Sequence, residues 1–206
     1  MKKSKNILIV LLLVLNVFIT ACSNFSTEDI SEANNTEKST VDLEFNIGNE
    51  KVLLQHKKIL NDRIEILIPK SFNLMSEEMA KFKYPYERRP KLVYTNDTGS
   101  VNIAFNYTQS KVTNNQIKEY KDFFKETLSK LHPSAKWYRD YLIQVDNRDI
   151  GVLELLTPAL DTKVYNLMFF TDLDGKLLMM TFNCTEKEMK DWKPVAECIM
   201  NSLKLK

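Results

Sequence analysis

Residues 163–182, KVYNLMFFTDLDGKLLMMTF, are the most restrictive stretch of this chain. Asp174-Gly175 is the dipeptide of a two-residue type I′ turn, so the stretch predicts a β-hairpin. Its arms, NLMFF and LLMMTF, are apolar at odd and even positions alike. Side chains alternate between the two faces of a strand, so an arm with no polar face has to be covered on both sides. The two arms are therefore predicted as central strands sandwiched between layers of helix, and the rest of the chain has to supply those helices.

The flanking segments supply further strands and these helices. KVLLQHKK and RIEILIP read as two strands, the second alternating Ile64, Ile66 and Ile68 before Pro69. SEEMAKFKY predicts a short helix capped by Ser76, and Tyr84-Pro85 stops it. KLVYTNDTGSVNIAFNYT predicts a hairpin in which Val101, Ile103, Phe105 and Tyr107 make a dry face and Asn102, Ala104, Asn106 and Thr108 a wet one. In NNQIKEYKDFFKETLSKLHP, Ile117, Tyr120, Phe124, Leu128 and Leu131 recur at helical spacing. Two further strands, KWYRDYLIQV and IGVLELLTP, meet at a turn over Asp146 to Asp149. The last helix is predicted from Thr185, where Thr-Glu-Lys-Glu has the form of a capping box, and Pro194 is expected to kink or divide it. The fold class is α+β, a central antiparallel sheet of about six strands with helices on both faces.

The chain opens with Lys2, Lys3 and Lys5 and then runs apolar from Ile7 to Ile19, short of the roughly 20 residues of a membrane-spanning helix. A basic start, an apolar middle and small residues before a cut site are the parts of a signal peptide. Ile19-Thr20-Ala21-Cys22 resembles the lipobox of bacterial lipoproteins. That resemblance implies thioether formation on Cys22, cleavage after Ala21 and a mature chain held to the cell membrane, on its extracytoplasmic face, by acyl chains such as palmitate. Two such chains suffice for a stable anchor where one is marginal. Ser23 resembles the permissive signal for outer-membrane sorting, which implies the outer membrane if the cell has two membranes.

Residues 23–50 carry Glu28, Asp29, Glu32, Glu37, Asp42, Glu44 and Glu50 against Lys38 alone. So polar and acidic a stretch buries too little apolar surface to offset its ordering entropy. The expected organisation is a signal peptide over 1–21, an acidic disordered tether over 22–50 and one domain over 51–206. Once the lysines of the leader are set aside, the 29 basic and 27 acidic side chains nearly balance. The domain carries no clustered basic stripe of the kind nucleic acid requires, and no nucleic-acid partner is expected. Cys184 and Cys198 could pair, but a strand end and a position far along the last helix are expected to hold them too far apart.

The order of elements, the closing helix with its Trp … Ile-Met-Asn-Ser-Leu-Lys ending, IPKSF, and RRPKLVYTNDTGSVNIAFN together resemble the PsbP-like superfamily, which includes the DcrB-like bacterial lipoproteins. This resemblance spans residues 50–204. It implies an antiparallel sheet between helices, members that mostly bind other proteins or assist assembly, and no shared catalytic residues to carry over.

Chemistry-bearing motifs are scarce. His56 and His132 are too few for a multi-histidine zinc site, and His132 is placed to cap a helix end. There is no Gly-x-Ser-x-Gly elbow, and four glycines leave no phosphate-cradling loop. TDLDGK begins like a calcium loop but has Asn183 where the twelfth-position acid belongs, and so reads as a turn. No catalytic residue, metal or cofactor is predicted.

The stretch that points to a partner is KFKYPYERRPK, residues 81–91, where aromatic and basic side chains interleave and Pro85 and Pro90 prevent regular structure. Tyrosine and arginine are favoured interface anchors, so Tyr84, Tyr86, Arg88, Arg89 and Lys91 are the candidate partner-binding residues. The competing reading plugs a sheet edge with the aromatics and leaves the cations in water. The expected function is a lipid-anchored, non-catalytic protein-binding module: an assembly factor, a receptor or an immunity-type partner. The alternatives are a small-ligand carrier using a cleft between sheet and helix, and a hydrolase whose acid pair only the fold would assemble.

Overall fold

The computed structural model describes residues 43–85 and 89–206. The strands are β1 Leu43–Ile47, β2 Glu50–Ile59, β3 Ile64–Pro69, β4 Asn73–Leu74, β5 Leu92–Thr95, β6 Asn102–Lys111, β7 Lys136–Val145, β8 Arg148–Pro158, β9 Lys163–Leu173, β10 Lys176–Thr185 and β11 Lys204–Leu205. The helices are α1 Glu77–Lys83, α2 Ile117–Leu131 and α3 Met189–Asn201. All strand pairs are antiparallel. They make a seven-stranded sheet, β4-β5-β6-β10-β9-β8-β7, and a four-stranded sheet, β1-β2-β3-β11.

The arms of the predicted hairpin are β9 and β10, at the centre of the larger sheet. Asp174 (φ 51°) and Gly175 (φ 73°) take the two left-handed positions of the expected turn, and Asp146 and Asn147 do the same between β7 and β8. Both faces of the hairpin are covered. On one, Leu153, Leu155, Met168, Phe170, Leu177 and Met179 pack against Ile117, Phe124 and Leu128 of α2. On the other, Val152, Leu167, Phe169, Met180 and Phe182 share a core with Trp192, Val195 and Ile199 of α3 and with Ile64, Ile66 and Ile68 of β3.

Three expectations change. The sheet begins at Leu43, inside the 22–50 segment expected as tether, because β1 pairs with β2 and sets Phe45 and Ile47 against the main core. The expected α+β fold holds, with seven strands in the central sheet where about six were expected, and β1 to β3 and β11 add a second sheet on the α3 side. Pro194 does not divide α3: Pro194 and Lys190 are both exposed, so the carbonyl four residues back that loses its donor faces water. The helix also starts later than Thr185. Glu188 reaches back to accept the Thr185 backbone N–H (3.2 Å) and hydroxyl (2.6 Å), stabilising the turn that precedes α3. Cys184 and Cys198 are free thiols.

Candidate functional site

The candidate site lies where α1, the 84–91 segment and the β5–β6 turn meet on the α2 side of the larger sheet. Ser76 accepts the Met79 N–H (3.2 Å), and Glu77 and Glu78 complement the helix start. The helix ends at Lys83, whose side chain turns inward, is only 6% exposed and donates to the Gly99 carbonyl. Gly99 is required there: its φ is +71°, and a Cβ would come within 2.7 Å of Lys83 Cε and 3.0 Å of Met79 Sδ. Burial lowers the Lys83 pKa, and the carboxylate of Glu188 acts in the opposite direction.

Beneath this lid a row of polar side chains crosses the sheet. Thr95, Asn102, Asn183 and Asn166 are register neighbours on β5, β6, β10 and β9, share one face, and are all buried. Thr95 Oγ1 donates to Asn102 Oδ1 (2.7 Å), and Asn102 Nδ2 donates to Asn183 Oδ1 (2.9 Å) and to the Gly99 carbonyl (3.1 Å). Further along, Asn166 Nδ2 donates to Thr157 Oγ1 (3.1 Å). The face expected to be wet is therefore covered at its Asn102 end. Glu188 closes the cluster, accepting from Ser100 (2.6 Å) as well as from Thr185.

Satisfaction is incomplete. Tyr84 Oη and Asn183 Nδ2 are buried without a hydrogen-bond partner among the described residues. Burial pushes the Tyr84 pKa up, and Asn183 acts in the opposite direction. Buried polar groups in this state are uncommon and cost about 1–3 kcal/mol each.

Of the expected partner-binding residues, Tyr84 is drawn inside. It packs with Val93, Ala104 and Val164, so its ring supports the segment from below and is not a surface anchor. Arg89 is half-buried and within electrostatic reach of Glu77, and Lys91 is exposed. Tyr86, Arg88 and the lipidation candidate Cys22 lie outside the described residues. The same edge carries two large exposed apolar side chains, Phe82 on α1 (54% exposed) and Leu74 on the edge strand β4 (50%).

A second constellation, not anticipated, sits on the α3 side. Glu154 on β8 is 0% exposed, yet it accepts from Lys193 of α3 (2.5 Å), from Tyr165 on β9 (3.0 Å) and from Arg139 on β7, which also pairs with Glu197. Burial pushes its pKa up, but the bonds from Lys193 and Arg139 outweigh it and hold the carboxyl below its ordinary value. The signal was present as the one charge inside the apolar run IGVLELL. Each acceptor oxygen is engaged, which suits a structural tie between α3 and the sheet.

The histidines and the turn acids are far from both clusters in role. His56 Nδ1 lies 3.4 Å from Glu65, and His132 caps α2, with burial lowering its pKa. Asp174 and Asp172 face Arg63 and Arg148. No group of three or more His, Cys, Asp or Glu side chains among the described residues could hold a metal ion.

The sequence matches no protein-family model and no curated protein. Solved structures share its architecture. Cyanobacterial PsbP (CyanoP) from Synechocystis sp. PCC 6803 superposes with a TM-score of 0.54 at 15% identity, covering 74% of this chain and 92% of that one. The chain has the PsbP-like fold. LpqN, involved in cell envelope biogenesis of Mycobacterium tuberculosis, superposes with a TM-score of 0.52 at 10% identity, covering 74% of this chain and 91% of that one. In this PsbP-like domain the polar row and the Glu154 network occupy opposite faces of one sheet.

Proposed function

We propose that the chain is a lipoprotein, acylated at Cys22 and held on the extracytoplasmic face of the cell membrane, whose PsbP-like domain binds another protein and catalyses no reaction. The observation that carries the binding part is the edge of the larger sheet, where Leu74 on β4 and Phe82 on α1 are exposed, close in sequence to Arg89 and Lys91. Apolar anchors with arginine and lysine close by in the chain suit a protein partner with an acidic rim. The anchor rests on the lipobox-like Ile19-Thr20-Ala21-Cys22. An envelope role for LpqN, which has the same fold, agrees with it.

The test is affinity purification of the acylated protein from its own cells, repeated with Arg88→Glu/Arg89→Glu and with Phe82→Ala. Loss of the captured partner with an unchanged circular dichroism spectrum supports this surface. Capture at the original level by both variants rejects it. A second reading, a small-ligand carrier, is favoured by the unpartnered Tyr84 hydroxyl and Asn183 amide beneath the segment. It requires a ligand that raises the Tm, and a polar-metabolite library that leaves Tm unmoved counts against it.

A further inference from the structure

Lys83 and Asn102 meet at one acceptor. The Lys83 amine and the Asn102 Nδ2 both donate to the Gly99 carbonyl, so the nucleophilic nitrogen and the carboxamide converge on one oxygen. The two residues are 6% and 2% exposed. Lys121, the other lysine buried among the described residues, bonds two carboxylates, Asp122 and Asp140. Among the described residues Lys83 has only a neutral carbonyl as hydrogen-bond acceptor, a setting that favours loss of its proton.

We infer that Lys83 and Asn102 are joined by an intramolecular isopeptide bond, formed by the protein itself. The nucleophile, the carboxamide and an oxyanion donor are in place. The unprotonated Lys83 Nζ attacks Asn102 Cγ and forms the new C–N bond. Negative charge develops on Asn102 Oδ1, where the Thr95 hydroxyl already donates at 2.7 Å and acts as the oxyanion donor. The Cγ–Nδ2 bond then breaks, and Nδ2 leaves as ammonia, taking the proton that the attacking nitrogen gives up. That proton passes directly from the attacking nitrogen to Nδ2, and the charge of Glu188, felt at Lys83 through space, favours the positive charge that the attacking nitrogen carries in between. One amide replaces another, so neither oxidant nor reductant is needed.

The product is a covalent strap from the C-terminal end of α1 to β6. It would hold the lid over the polar row and fix one end of the 84–91 segment. Such a cross-link closes a loop in the unfolded chain as a disulfide does, and both cysteines of this domain are free.

The experiment is tryptic peptide mapping of the full protein purified from its own cells. Cleavage is expected to fail after Lys83, and residues 82–88 are expected to emerge joined to residues 92–111, lighter than the two peptides together by one ammonia. A cyclic imide at an asparagine loses the same mass but leaves the peptides separate, so the branch is the decisive signal. Asn102→Ala should release both peptides in linear form and open Lys83 to trypsin. Linear peptides of full mass from the unaltered protein, with Lys83 cleaved as usual, overturn the proposal.

Discussion

The ring of Phe170 occupies the space that a side chain at Gly151 would need: a Cβ there would come within 2.5 Å of Phe170 Cε2 and Cζ. The two residues are paired across β8 and β9. Phe170 is fully buried and makes an edge contact with Phe124 of α2 at 5.0 Å and 85°, so the ring cannot swing away without opening the α2 layer. Gly151→Ala should therefore destabilise the domain by about 1–3 kcal/mol, the usual range for overpacking a tight core. Urea unfolding reads this directly. A midpoint within error of the unaltered protein would show that the ring has room to yield.

Glu154 ties three elements together, and its removal should be felt chiefly at Tyr165. That buried hydroxyl would lose its acceptor, while Arg139 and Lys193, both partly exposed, could turn to water. Glu154→Ala is expected to cost about 1–3 kcal/mol, and Glu154→Gln less, since it keeps an acceptor. No loss in either variant would show that the network is dispensable.

The same carboxylate gives the domain a pH dependence of defined sign. The folded-state pKa of Glu154 is below its ordinary value, as are those of Asp140, through its bond from Lys125, and Glu65, through its bond from Lys204. A lowered folded pKa contributes stability that is present above the unfolded value near 4 and is lost as pH falls through the folded value. Unfolding free energy should hold steady down to about pH 5 and decline below about pH 4. Glu154→Gln should make that decline shallower, and an identical profile in the two proteins would contradict the assignment.

Ser202, just past α3, accepts the Leu67 N–H of β3 at 2.8 Å and donates to the Ile199 carbonyl at 2.6 Å. Ser202→Ala leaves a buried strand N–H without a partner and should cost about 1–3 kcal/mol. Hydrogen exchange is the sharper readout: the Leu67 amide should lose protection selectively. If its rate is unchanged, the bond contributes nothing to holding β3 against α3.

Cys22→Ser should abolish lipidation and move the protein from the membrane pellet to the soluble fraction, with the folded domain unaffected. Mass spectrometry of the amino terminus checks the cause. A membrane-bound serine variant would remove the lipid anchor from the proposal.

What was legible in the sequence was local. The turn at Asp174-Gly175 and the two-sided apolar arms around it predicted the central hairpin. Ser76 and the spacing of Ile117, Phe124 and Leu128 located two helices, because capping and periodicity act over a few residues. The partner segment was legible only in part. Tyr84 reads as an interface aromatic among its neighbours in sequence, and packing on Val93, Ala104 and Val164, far along the chain, turned it inward. Glu154 was visible as a charge in an apolar strand, but its partners Arg139, Tyr165 and Lys193 lie 15, 11 and 39 residues away, and no short pattern connects them.

By itself the amino-acid order settled which segments from Lys51 onward are the longer strands and helices and that the hairpin of β9 and β10 must be covered twice, since those properties follow from side-chain alternation and backbone preference. The tertiary structure alone decided that the second cover is a separate sheet closed by β1 and β11, that Asn102 and Asn183 become a buried row, and that Lys83 lies against the Gly99 carbonyl. Those outcomes depend on contacts between distant residues, where the energy of burying one group is set by which others arrive beside it.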